Sequence, residues 1–191
     1  EFQNASGSCP DGSRPDRATR WTWGEDGKEL TFARQKGVAW HDGKPFTAAD
    51  VKCTFALLAG TAEESFKVNF RKGWYANVEN VTTNGDLEAT FNLKKPQPAL
   101  LALLASGFTP IYPCHVSPGD MRRAPVGTGP FKFVEYTANQ TIQVARNPNY
   151  WQPGRPSLDG IAYTLIPHPT PALLSFVSGQ FAPTFPSAIP L

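Results

Sequence analysis

The sequence predicts an α/β domain that is rich in β-strands. Its 16 glycines and 19 prolines are dispersed among apolar runs, which favours many short strands and turns over long helices. Three pairs of alternating apolar segments are each joined by a short polar turn, the pattern of a β-hairpin. With 191 residues, 40% of them hydrophobic, the chain is long enough for one substantial core or two small ones.

The first hairpin is predicted over residues 21–32. Residues 21–23 are aromatic and β-branched, which suits a pleated, half-buried surface. Residues 25–27, with the sequence Glu-Asp-Gly, supply a turn that tolerates a left-handed backbone. The apolar pattern resumes at residues 30–32 and completes the hairpin.

A turn and a helix start follow this hairpin. Asp42-Gly43 offers the turn, because glycine accepts a positive φ without steric cost, and Pro45 fixes an extended approach. Thr47 is a good N-cap, and Asp50, three residues later, can reach back to it in a short capping box. Apolar residues then recur on one face at helical spacing, which predicts a helix over residues 48–58.

The middle of the chain combines a mixed segment with the strongest hairpin signal. Phe66, Phe70 and Trp74 are four residues apart, so a helix would place their rings on one side. Asn84-Gly85-Asp86 lies between apolar segments and predicts a second hairpin over residues 77–92.

Shorter elements are predicted in the second half of the chain. An apolar helix over residues 99–105 is expected to be buried, because it is hydrophobic all round. Residues 109–116 carry several prolines and predict an extended crossing segment. A third hairpin joins residues 131–136 to residues 141–146. The chain then continues as a strand, a helix and a strand, predicted over residues 161–166, 171–178 and 181–185.

The charge and hydropathy patterns exclude several classes of protein. A net charge of +2, from scattered Lys and Arg, is too small for a nucleic-acid footprint or a membrane-surface patch. No run approaches the ~18 apolar residues of a membrane helix, and the first residues lack the charged-then-apolar pattern of a signal peptide. We therefore expect no nucleic-acid partner and no signal sequence within this chain.

The titratable residues do not form a convergent catalytic set. His41-Asp42 and Cys114-His115 are adjacent pairs that point to opposite faces of an extended chain, so hydrogen-bonded turns are their expected role. Gly127-Thr128-Gly129 lacks the Gly-Lys-Ser/Thr of a phosphate loop and predicts a tight turn. The three histidines, His41, His115 and His168, have no carboxylate or cysteine at ligand spacing on a common face. We expect no catalytic residues, no cofactor and no metal site.

The cysteines are three in number and carry no paired motif. Cys9, Cys53 and Cys114 show no CxxC spacing, so neither a zinc knuckle nor a redox pair is indicated. Two buried thiols and one near a flexible end are favoured over a disulfide.

Three blocks spread over most of the chain carry a family signature. The first has Leu30-Thr31-Phe32, Lys36-Gly37-Val38 and Trp40-His41-Asp42-Gly43-Lys44-Pro45-Phe46-Thr47-Ala48-Ala49-Asp50-Val51. The second is Pro125-Val126-Gly127-Thr128-Gly129-Pro130-Phe131. The third has Arg146-Asn147-Pro148-Asn149-Tyr150-Trp151 and Gly154-Arg155-Pro156-Ser157-Leu158-Asp159-Gly160. In this order the blocks resemble the family 5 bacterial extracellular solute-binding proteins, the oligopeptide, dipeptide and nickel receptors of ABC importers.

The resemblance implies part of lobe 1 of a two-lobed, type II periplasmic-binding-protein fold. Residues 18–191 would form an incomplete first lobe, without the second lobe and the returning C-terminal strands, and residues 1–17 a flexible N-terminal segment. Sheet edges would then lack the partners that a full chain supplies. The implied function is capture of a peptide or similar small solute in the periplasm or another extracytoplasmic space. The implied partners are that ligand and the ABC permease subunits, and a monomer is expected.

The resemblance also suggests where the ligand binds. A receptor that closes two lobes over a ligand needs an aromatic-lined cleft with a few placed polar groups. By analogy, Trp74 and Tyr75 are the first candidates, followed by Phe70 and Phe185. The alternative for each ring is ordinary core packing, which is the role expected for the remaining tryptophans.

Two other function classes stay open on the sequence alone. One is a stand-alone β-rich recognition module of the carbohydrate-binding kind, which stacks sugars on exposed tryptophans. The other is a fragment of a hydrolase whose serine nucleophile lies outside any recognisable elbow motif.

Overall fold

The computed structural model describes residues 3–4, 13–14, 18–62, 69–106 and 109–181. Its strands are β1 (Gln3–Asn4), β2 (Ser13–Arg14), β3 (Ala18–Trp23), β4 (Glu29–Arg34), β5 (Val78–Asn84), β6 (Glu88–Leu93), β7 (Phe131–Thr137), β8 (Thr141–Arg146) and β9 (Gly160–Thr164). Its helices are α1 (Ala48–Ala59), α2 (Leu100–Leu104), α3 (Pro118–Arg123) and α4 (Pro169–Val177), and a 3₁₀ helix covers Lys72–Tyr75. The prediction of a β-rich α/β architecture is confirmed.

The larger sheet has four antiparallel strands in the order β3-β4-β6-β5. The hairpins β3-β4 and β5-β6 are the first two hairpins that the sequence predicts. In the turn of the second, Gly85 has a φ of 61°, a left-handed conformation that glycine adopts without steric cost. Strands β4 and β6 join the two hairpins, with Leu30 opposite Phe91 and Phe32 opposite Ala89.

Helix α1 packs on this sheet and closes the main core. Phe55 of the helix contacts Phe91 and Tyr75 edge-on, with ring centroids 4.7 and 5.2 Å apart. Leu58 of α1 and Leu100 of α2 are also fully buried in this cluster. Each such buried side chain stabilises the fold by about 1.5–3 kcal/mol, so this layer forms the most stable part of the chain.

The ends of α1 follow the signals in the sequence. The Thr47 N–H donates to Asp50 Oδ2 over 2.8 Å, the reach-back that the capping box predicts. Gly60 ends the helix with a φ of 74°, and its N–H donates to the Leu57 carbonyl. The observed helix extends one residue beyond the predicted range of 48–58.

The extended segment at residues 109–116 crosses α1 and is bonded to it. The Tyr112 N–H donates to Thr54 Oγ1 over 2.8 Å, and the Cys114 N–H donates to Asp50 Oδ1 over 3.1 Å. We call residues 109–116 the crossing segment. These bonds fix its register along the helix.

The prediction of free thiols is wrong for two of the three cysteines. Cys53 of α1 and Cys114 of the crossing segment form a disulfide. The two residues are 61 positions apart, with Cα atoms 6.0 Å apart, and only the path of the crossing segment brings them together. Spacing in the sequence carries no signal of such a contact. Cys9 lies outside the described residues.

The smaller sheet has three antiparallel strands in the order β7-β8-β9. Its β7-β8 hairpin is the third hairpin that the sequence predicts, and β9 begins one residue before the predicted strand. Every residue of these three strands remains partly or fully exposed, including Val134 at 55% and Tyr136 at 54%. The smaller sheet therefore contributes little to the core among the described residues.

Other differences from the predicted elements are local. Helix α3 is not predicted, although Ser117 caps it by accepting from the Asp120 N–H over 3.1 Å, and Pro118 occupies its first position. Strands β1 and β2 pair within the N-terminal segment. Phe66 and the predicted strand beyond Phe181 lie outside the described residues. Among the helices that the structure describes, none is long and apolar enough to cross a bilayer.

Candidate functional site

An exposed aromatic patch follows the first helix, at the 3₁₀ helix. Trp74 is 41% exposed and Phe70 is 73% exposed, and their rings meet edge-on with centroids 6.3 Å apart. The guanidinium carbon of Arg71 lies 5.6 Å from the centroid of the Phe70 ring. We call Phe70, Arg71 and Trp74 the aromatic patch. Two large exposed rings side by side are unusual on a surface that only contacts water.

The crossing segment supports this patch. Arg71 Nη2 donates to the Tyr112 hydroxyl over 3.1 Å. The Tyr112 N–H in turn donates to Thr54 of α1. Tyr112 therefore connects the Arg71 guanidinium to helix α1. The patch therefore combines ring faces with a positioned cation, which suits a planar or apolar ligand that carries a polar or negative group.

Tyr75 lies in the core and not on the open surface. It is 4% exposed, its ring packs on Phe55, and its hydroxyl lies 2.6 Å from Thr109 Oγ1. Tyr75 therefore has the position expected for a ring that packs in the core, and not that of a ring exposed in a ligand cleft. Phe185 lies outside the described residues. The structure thus brings Trp74 and Phe70 together and separates both from Tyr75.

Arg71 and Tyr112 are the residues of this region that sequence reasoning missed. Arg71 could have been predicted as part of the site, because it lies three residues before Trp74, a spacing that places both on one side of a helix. Tyr112 was not recoverable, because its contact with Arg71 spans 41 residues.

The turn at His41 joins the larger sheet to the loop before β7. The Gly127 N–H donates to His41 Nδ1 over 3.2 Å, so Nε2 carries the ring proton and donates to the Gly129 carbonyl over 3.0 Å. The His41 N–H donates to the Gly127 carbonyl, and Lys132 Nζ donates to the His41 carbonyl. The prediction of a hydrogen-bonded turn is confirmed, and its role is to hold two loops together.

We expect His41→Ala to lower the free energy of unfolding by about 1–3 kcal/mol, because two ring hydrogen bonds are lost and the Gly127 N–H loses its acceptor. Denaturant unfolding measures this loss. His168→Ala is the control, because His168 is exposed and makes no capping bond to α4. A loss of ligand affinity with an unchanged midpoint of unfolding would contradict the scaffold role of His41.

The side chains of Asp42 and His115 are hydrogen-bonded next to this turn. His115 Nε2 lies 2.6 Å from Asp42 Oδ2. Burial tends to raise the pKa of Asp42, but the hydrogen bonds and charges of His115 and Lys44 outweigh it, so the pKa lies below its ordinary value. The pair links the turn to the crossing segment. No group of three or more potential metal-ligating side chains occurs in the part of the chain that the structure describes.

Comparison with known proteins identifies the family. The model for "Bacterial extracellular solute-binding proteins, family 5 Middle" matches residues 13–190. A putative ABC transporter peptide-binding protein of Brucella ovis is 31% identical over 169 residues, which cover 82% of this chain and 31% of that protein. Heme-binding protein A of Haemophilus influenzae is 31% identical over 179 residues, covering 82% of this chain and 32% of that protein.

A solved structure shows the same fold. MoaA from A. tumefacien R10, in complex with mannopinic acid, superposes with a TM-score of 0.81 at 27% identity, covering 94% of this chain and 36% of MoaA. The chain spans about a third of the length of these proteins.

The comparisons also bear on the alternatives that the sequence left open. Family 5 solute-binding proteins are non-enzymatic receptors, so the hydrolase alternative is wrong. The match to about a third of a type II periplasmic-binding-protein structure agrees with the expected fold. The chain belongs to family 5 of the bacterial extracellular solute-binding proteins.

Proposed function

We propose that this chain supplies one wall of the ligand cleft in the substrate-binding component of an ABC importer. The ligand is a peptide or a similar small solute, captured outside the cytoplasmic membrane and delivered to permease subunits in that membrane. Family membership supports this role, and the relatives that match are described as binding peptides, heme and mannopinic acid.

The aromatic patch is the observation that carries the proposal. Phe70 and Trp74 are both exposed to solvent, and the Arg71 guanidinium lies over the Phe70 ring. A bound ligand would bury these rings, and aromatic side chains dominate the energetics of such contacts.

Binding by the complete gene product tests the patch. We expect Trp74→Ala to weaken binding of its co-purified ligand, identified by mass spectrometry, by about tenfold or more, since a buried ring contact contributes over 1 kcal/mol. The midpoint of unfolding should change little, because Trp74 is 41% exposed. Tyr136→Ala is the matched control, as Tyr136 is an aromatic residue of β7 with 54% exposure and lies outside the patch. Calorimetry measures the affinity of the wild type and of the two variants. Equal affinities of the wild type, Trp74→Ala and Tyr136→Ala would overturn the proposal.

The isolated chain gives a second test of the proposed role. Receptors of this kind bury the ligand between two walls, so one wall alone loses most of the contact area. We expect no micromolar binding of the same ligand to the 191-residue chain by calorimetry. Micromolar binding would show that a single wall is sufficient.

A further inference from the structure

The C-terminal end of helix α1 is hydrogen-bonded to the residue that precedes the aromatic patch. A helix leaves its last four carbonyl groups without partners inside the helix. The N–H groups of residues 60–61 donate to two of them, the carbonyls of Leu57 and Ala56. The Leu58 carbonyl accepts from a more distant donor, the side-chain amide of Asn69, over 2.8 Å. Asn69 therefore connects the start of the patch to the end of α1.

The bond between Asn69 and Leu58 lies where water has little access. Leu58 is 1% exposed and belongs to the main core, and Asn69 is half-buried. A carbonyl on so buried a residue needs a donor from the protein, because water reaches it poorly. The structure therefore depends on the Asn69 amide more than on a hydrogen bond at the surface.

Lys72 makes a second contact at the same end of α1. A Cβ added at Gly60 would lie 3.3 Å from Lys72 Nζ, so the ammonium group lies beside the residue that ends the helix. The C-terminal end of a helix carries partial negative charge and favours a nearby cation. Asn69 and Lys72, which flank Phe70 and Arg71 in the sequence, therefore both contact this helix end.

The position of the Phe70 ring depends on the backbone on either side of it. Phe70 is 73% exposed, so packing alone does not fix its ring. On its C-terminal side, Arg71 donates to Tyr112, and Tyr75 packs in the core. On its N-terminal side, its direct neighbour is Asn69, with the bond to α1.

We propose that Asn69 is a positioning residue for ligand binding at the aromatic patch. Its bond to the Leu58 carbonyl fixes the backbone from which Phe70 projects and the start of the 3₁₀ helix that carries Trp74. A binding surface whose backbone is fixed by hydrogen bonds is preorganised, so less ordering accompanies binding. The proposal rests on the proposed function, because it requires that the patch contacts the ligand.

Two substitutions of Asn69 remove its donor in different ways. Asn69→Asp keeps the shape of the side chain, but a carboxylate has no N–H and places negative charge at the C-terminal end of α1, where it is disfavoured. Asn69→Ala removes the amide altogether. Asn92→Ala is the matched control, because Asn92 is also half-buried, and its amide donates to Asn80 Oδ1 over 2.7 Å on the larger sheet.

Hydrogen exchange of the complete gene product measures the positioning without a ligand. In the 3₁₀ helix, the Lys72 N–H donates to the Asn69 carbonyl and the Trp74 N–H to the Arg71 carbonyl. We expect both amides to exchange about fivefold or more faster in each Asn69 variant, because exchange reports local opening. The amides of β4 and β6 should keep their wild-type rates, and Asn92→Ala should leave the 3₁₀ helix unchanged. Wild-type exchange of the 3₁₀ amides in a folded Asn69 variant would overturn the proposal.

Affinity separates the positioning role from the proposed function. The probe is the compound that co-purifies with the complete gene product and is identified by mass spectrometry. With each protein fully folded, we expect both Asn69 variants to weaken its binding about threefold or more and Asn92→Ala to leave it unchanged. Weaker binding by Trp74→Ala with wild-type binding by the Asn69 variants would overturn the positioning role alone. Wild-type binding by Trp74→Ala as well would overturn the proposed function and the positioning role together.

Discussion

Replacing Asp50 by alanine is expected to lower the free energy of unfolding by about 3–5 kcal/mol. The carboxylate is 5% exposed and accepts three N–H groups. They are the Thr47 N–H at 2.8 Å, the Trp40 indole N–H at 3.2 Å and the Cys114 N–H at 3.1 Å. Alanine leaves these three donors without their carboxylate acceptor, and an unsatisfied buried donor costs about 1–3 kcal/mol.

The position of Asp50 explains why one residue has this effect. It lies in the first turn of α1, accepts from the Thr47 N–H and the Trp40 indole before the helix, and accepts from Cys114 of the crossing segment. Its loss therefore removes two contacts at the start of the helix and one contact to a segment 64 residues away. Because such contacts share one acceptor, their contributions are coupled and not simply additive.

Asp50→Asn provides the sharper comparison. Oδ2 accepts from Thr47 and Trp40, whereas Oδ1 accepts from Cys114, and an amide replaces one of these acceptors by a donor. We expect a loss between those of wild type and Asp50→Ala. Urea unfolding of the three proteins measures the series. A loss below about 1 kcal/mol for Asp50→Ala would show that Asp50 is not the structural centre that its bonds indicate.

The elements that the sequence predicts well are those with local chemical signals. Thr47 and Asp50 start α1 as predicted, and Gly60 ends it in a left-handed conformation. The turn at Asn84-Gly85-Asp86 sets the β5-β6 hairpin for the same reason, because glycine there has a positive φ. Helix α3 had an equally local signal in Ser117, Pro118 and Asp120. The helix was not predicted because the neighbouring prolines were interpreted as part of an extended segment.

Contacts between distant residues are the part that the sequence could not reveal. Asp42 and His115 are 73 residues apart, and each belongs to an adjacent pair that was expected to form only a local turn. The same limit applies to the candidate site. Whether Tyr75 packs in the core or lines a surface is decided by Thr109 and Phe55, neither of which is its neighbour in sequence.

The Cys53–Cys114 disulfide connects stability with the proposed location of the protein. It closes a loop across 61 residues and ties α1 to the crossing segment. Disulfides persist in oxidising compartments such as the bacterial periplasm and are rare in the cytosol. A pair of cysteines that the fold brings together in this way supports the proposal of an extracytoplasmic receptor. The crossing segment also carries Tyr112, so the disulfide lies close in sequence to the residue that holds Arg71.

Loss of this disulfide is expected to lower the free energy of unfolding by about 4 kcal/mol, from the loop-closure entropy of a loop of this length. The entropy arises because the bond restricts the unfolded chain far more than the folded one. Unfolding by denaturant, with and without a phosphine reductant, measures the difference. In the unfolded, unreduced protein, a thiol titration should find one reactive thiol out of the three cysteines.

Variants at each cysteine assign the effect to one bond. The double variant Cys53→Ser/Cys114→Ser should have the same free energy of unfolding as the reduced wild type. Its stability should not change with reductant, because the bond that reductant breaks is already absent. Cys9→Ser should keep the full response, since Cys9 is not part of this pair. Three reactive thiols in the unreduced protein would show that no disulfide forms, and a reductant effect that disappears in Cys9→Ser would assign the bond to Cys9. In that case α1 and the crossing segment would depend on Asp50, Thr54 and packing alone.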